Sequence, residues 1–123
     1  MKPTNRPTSD DAIMFDGFVK QWQAKLNLGD WRIERGSKPA RKGAMATVEF
    51  DDGARLATYK LGDFGAEKIT PLALERTAIH ELAHIFLHDL ITVAQDRGVT
   101  PDALDAAEHK VINLLEKLLG DKL

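Results

Sequence analysis

Residues 77–89, TAIHELAHIFLHD, can bury only one of their sides. Ile79, Leu82, Ile85, Phe86 and Leu90 recur at helical spacing and form a broad apolar sector that must face a core. His80, His84 and His88 fall in a narrow sector on the other side. Any fold of this chain has to lay other elements against the first sector and leave the imidazole row open. Thr70-Pro71 marks the helix start, with Thr as N-cap and Pro where its missing N–H costs nothing.

The rest of the chain supplies the covering elements. Ser9, Asp10 and Asp11 predict a helix N-terminus, followed by apolar Ile13, Met14, Phe18, Trp22 and Leu26 up to the stop NLGD. WRIER (31–35) and AMATVEF (44–50) read as strands. DDG (51–53) predicts a hairpin turn into ARLATYKL (54–61). Thr100-Pro101 opens a last helix to about Leu119. The order predicts an α+β domain: an N-terminal helix, a small antiparallel sheet, the histidine-bearing helix and a C-terminal helix.

A length of 123 residues suits one domain, assigned to 10–123 behind a flexible, polar lead-in at 1–9. The net charge of −2 argues against a general nucleic-acid binder. The basic loop GSKPARKG (36–43) lacks interleaved aromatics and reads as a solvated loop. No stretch has signal-peptide character or the length of a membrane span, so no membrane partner is expected. The chain has no Cys, so a metal would have to be held by His and carboxylates. A cytoplasmic location fits these features.

His80, Glu81 and His84 match H-E-x-x-H. Residues i and i+4 project from one helix face, so His80 and His84 can direct their imidazoles at one zinc ion. Glu81 points about 100° further round, where it can take a proton from water activated by the metal. Catalytic zinc usually has three protein ligands. His88 continues the row, but three ligands in line on a straight helix cannot converge, so it is assigned to the cleft lining. Glu108 falls inside the apolar stripe of the last helix, where an unpaired carboxylate is costly. It is the candidate third ligand, with His109 as the fallback. Matching the levels of Glu108 and His84 requires the motif helix to stop or bend before Ala94, and the β-branched run Ile91-Thr92-Val93 fits that.

HELAH followed by a helix carrying AEHKVINLLEKLL resembles the gluzincin branch of zinc metallopeptidases. The chain is most similar to small phage- or prophage-type metallopeptidases, and more distantly to SprT-like and anti-repressor-processing peptidases, over about residues 28–119. The resemblance implies a minimal zincin-like fold whose short sheet overlies the active-site helix and binds substrate along an edge strand. It implies a Zn2+ metalloendopeptidase acting on a peptide or protein, with His80, His84 and Glu108 as ligands and Glu81 as general base. Many gluzincins carry an Asp four residues after the ligand Glu, but Ile112 stands there, so Asp105 or Asp89 would have to orient a ligand. Tyr59, His88 and His109 are the candidates for contacting the transition state. Iron or manganese would also suit a His₂-carboxylate set. The competing readings are a zincin-fold regulatory module with little or no activity, and a structural domain without metal.

Overall fold

The computed structural model describes residues 4–96 and 98–120, the last six of these by their backbone alone. Helix α1 spans Ser9–Lys25. Its cap is Thr8, one residue earlier than the sequence suggests. The Thr8 hydroxyl accepts from the Asp11 N–H while the Asp11 carboxylate accepts from the Thr8 N–H, a reciprocal capping box. The buried side of α1 is Ala12, Phe15 and Val19, with Phe18 and Trp22 packed beside them. Ile13 and Met14, expected inward, are exposed, so the true stripe is rotated by about one residue.

Three strands follow: β1 (Arg32–Arg35), β2 (Ala46–Asp51) and β3 (Leu56–Leu61). The predicted hairpin is present, with β2 antiparallel to β3. The tight position is Arg55, at φ 50°, and not Gly53. The sheet as a whole is mixed and not antiparallel. β1 pairs in parallel with β3, giving the order β1-β3-β2. The returning strand β3 slots between the first two because Ala57 and Tyr59 are its most buried residues and gain neighbours on both sides there. β2 is consequently an edge strand.

Helix α2 spans Pro71–Gln95, with the Thr70 hydroxyl accepting from the Ala73 N–H as expected. It does not stop before Ala94. Ile91, Thr92 and Val93 remain helical, and the Asp96 N–H closes the end on the Thr92 and Val93 carbonyls. A β-branched residue costs only a few tenths of a kcal/mol in a helix, too little to end one that is docked along its length. Helix α3 spans Pro101–Gly120, capped by Thr100.

Ala73, Leu74, Ala78, Leu82, Ile85 and Phe86 of α2 form the centre of the core. Phe15 and Val19 of α1, Ala57 and Tyr59 of β3, and Leu114 of α3 close around them. Asn5 is bonded to the segment after β3: the Phe64 N–H donates to the Asn5 carbonyl, and the Asn5 side chain donates to the Gly65 carbonyl at 2.7 Å. No helix among the described residues is long and apolar enough to cross a membrane.

Candidate metal centre

The outward face of α2 carries the motif as the spacing predicts. His80 and His84 are exposed, and their Nε2 atoms stand 3.2 Å apart. The rings meet nearly edge to face, 4.9 Å between centroids. Two nitrogens bound to one zinc at about 2.0–2.1 Å with a near-tetrahedral angle lie about 3.3 Å apart. The pair therefore has the spacing of two ligands on one ion.

Glu81 turns inward from the same turn of helix and is 6% exposed. Burial pushes its carboxyl above the ordinary range, opposed by His84, His80 and Arg41. No protein hydrogen bond contributes to the shift, so the neighbouring charges are all that offsets the burial. Arg41, in the loop between β1 and β2, is the neighbour that the spacing did not reveal. Nothing in the order of residues links it to Glu81.

The structure does not bring Glu108, the candidate third ligand, to the histidine pair. Glu108 is exposed, and no group of three or more His, Asp or Glu side chains among the described residues is arranged to hold a metal ion. The reason is the side on which α3 docks. Lys110 donates to Asp89 at 3.3 Å, which seats α3 on the Asp89 flank of α2. Asp89 and His84 are five residues apart, about 140° around the helix. Glu108 therefore belongs to the opposite flank from the histidine pair. Asp89, which Lys110 contacts, itself stands about 7.5 Å along the axis from His84. His109 does not replace Glu108: its Nδ1–H donates to the Asp105 carbonyl at 2.8 Å, in solvent, which raises its pKa.

The other candidates have structural partners. The His88 ring stacks on Phe50 with 3.8 Å between centroids, and its Nε2 lies 2.6 Å from Asp52. It fastens α2 to the hairpin. Tyr59 points to α1, where its hydroxyl donates to Asp16 at 2.6 Å. Burial, then the Asp16 bond, holds that phenol protonated. Tyr59 lines a groove of about 450 Å³ with Asp16, Lys20 and Arg35, and no motif residue borders it. Asp89 and Asp105 orient neither ligand histidine. Asp89 accepts from Arg55 and Lys110, and Asp105 pairs with His109.

Arg55 is the hub of the far end of the sheet. Its guanidinium bonds Asp30 and both Asp89 oxygens and lies 3.9 Å over the Trp31 ring. The Arg55 hydrogen bond leads in lowering the Asp89 pKa, with Lys110 assisting and burial opposing. A carboxyl lowered on folding adds stability above its unfolded value near 3.9, and that stability is lost as pH falls through the folded value. Arg55→Met should flatten this acid limb, so its urea midpoint should fall less than that of the wild type between about pH 5 and pH 2. An equal fall in both proteins would remove Asp89 from the acid response.

Comparison with family models, with curated proteins and with solved structures finds no match to this chain.

Proposed function

We propose that the chain is a zinc-dependent endopeptidase that cleaves peptide bonds, working in the cytoplasm. The carrying observation is the 3.2 Å convergence of His80 and His84 Nε2 with the buried Glu81 on the same helical turn. His80 and His84 would hold the ion through Nε2. When bound, zinc supplies Lewis acidity, making water more acidic and drawing off the charge that develops on a carbonyl oxygen.

The rest falls to the side chains. Glu81 removes a proton from water as the water oxygen bonds to the peptide carbonyl carbon. It returns a proton to the nitrogen as the C–N bond breaks, leaving a carboxylic acid and an amine. A carboxyl raised by burial suits both roles, because it is a stronger base than a solvated one. The free edge of β2 is the natural seat for an extended substrate, which would add a strand beside it.

One observation favours the second reading, a module with little or no activity: no third side-chain ligand stands with the pair among the described residues. Metal analysis tests the common premise. Wild-type protein loaded with zinc and freed of excess should retain about one equivalent, and His80→Ala and His84→Ala should each retain below about a tenth, since a two-histidine site cannot lose half its ligands. Equal retention in all three would place the metal elsewhere and remove the proposal's basis.

A further inference from the structure

The hydrolase reading leaves the substrate open, and the loop before β2 narrows it. His88 and Asp89 fasten the later half of α2 to the β2–β3 turn, through Phe50, Asp52 and Arg55. The earlier half of α2 therefore runs towards the other end of that strand pair. Glu81 precedes His88 by seven residues, about 10 Å of helix. The same distance back along β2 from Phe50 reaches Thr47, beside the point where the 36–45 loop enters the strand.

That loop is fastened in place. The Ala40 N–H donates to the Leu61 carbonyl, the Ala44 N–H to the Arg41 carbonyl and the Gly62 N–H to the Met45 carbonyl. A Cβ on Gly62 would meet the Ala44 carbonyl oxygen at 2.1 Å, so loop and strand end fit only with glycine there. Arg41 occupies the turn at the motif end of the loop, and its charge reaches Glu81. It makes none of the ion pairs formed among the described residues. Lys38 and Lys42 flank it, and residues 36–48 contain no acid to neutralise them. An exposed arginine on a loop whose backbone is bonded to the sheet, near a candidate reaction centre, is suited to clasp a carboxylate in two-point fashion.

We propose that Arg41 recognises an acidic side chain of the substrate next to the scissile bond, so that the site selects peptides carrying Asp or Glu there. This rests on the peptidase reading for the cleavage itself, while the recognition can be measured without it.

The first measurement digests a mixed peptide library with zinc-loaded protein and reads the cleavage sites by mass spectrometry. Wild type should enrich Asp and Glu about fivefold or more at one position flanking the cut. Arg41→Ala should erase that preference while still cleaving neutral sites, and Arg41→Glu should shift it towards Lys and Arg. Arg76→Ala, a cation one turn before His80, should keep it. The second measurement titrates Glu81→Gln protein by calorimetry with two blocked hexapeptides differing only by Glu for Gln. The Glu peptide should bind about tenfold tighter, and adding Arg41→Ala should abolish the difference. If wild type cleaves nothing but the tenfold difference stands, the peptidase reading falls and the recognition by Arg41 holds. If the two hexapeptides bind alike, or the acidic preference survives in Arg41→Ala, the recognition is overturned.

Discussion

Glu81→Gln should lower peptide cleavage by about 10²–10⁴-fold with zinc retention unchanged. The amide matches the carboxyl in shape and cannot accept a proton from water. The loss should therefore appear in kcat with little change in KM, because the ground-state contacts remain. The burial of Glu81 adds a second readout. Burial disfavours its charged form and no protein hydrogen bond contributes in return, so a neutral isostere removes a desolvation penalty. The metal-free variant should melt above the metal-free wild type. Activity falling as stability rises would be the mark of a residue kept for chemistry against the interest of the fold. A variant that retains wild-type cleavage would remove Glu81 from the mechanism. A variant that is inactive and also less stable would make its role structural.

Phe15→Ala should destabilise the protein by about 3–5 kcal/mol, measured as a shift in urea midpoint at constant slope. Phe15 is fully buried, and its ring lies 5.4 Å from that of Tyr59. It therefore joins α1 to both β3 and α2. Against a typical total of about 5–15 kcal/mol, such a loss leaves little margin at 37 °C. The neighbouring Ile13→Ala should change stability by less than about 0.5 kcal/mol, since that side chain is 65% exposed. Similar losses at the two positions would contradict the orientation of α1.

The contrast between these two residues shows what could be read from the chain and what could not. Helical periodicity located α1, but the apolar run of Ile13, Met14 and Phe15 is compatible with more than one rotation. Only contact with Tyr59 and α2 selects Phe15 as the inward member. The histidine pair was legible because its geometry is internal to one turn of helix. Glu108 was misplaced because its position depends on which flank of α2 the last helix takes, and that is settled by Lys110, Asp89 and Arg55, residues far apart in sequence. The parallel pairing of β1 was hidden for a related reason. Alternating side chains look the same in parallel and antiparallel neighbours, and nothing in residues 31–35 states that β3 will lie beside them. Arg41 was visible as a charge but not as a neighbour of Glu81.

The docking of α3 has a further consequence, in the hierarchy of opening motions. Its inward contacts include Leu114, Val111 and the Lys110 pairs with Asp89 and Asp30, while Pro101–Ala106 lie in solvent. The α1, α2 and sheet core closes largely without it. Residues 104–114 should thus detach as one cooperative unit at a free energy well below that of global unfolding, their amides exchanging together and ahead of those around Leu82 and Ile85. The histidine pair, on the opposite flank of α2, would keep its spacing throughout that excursion.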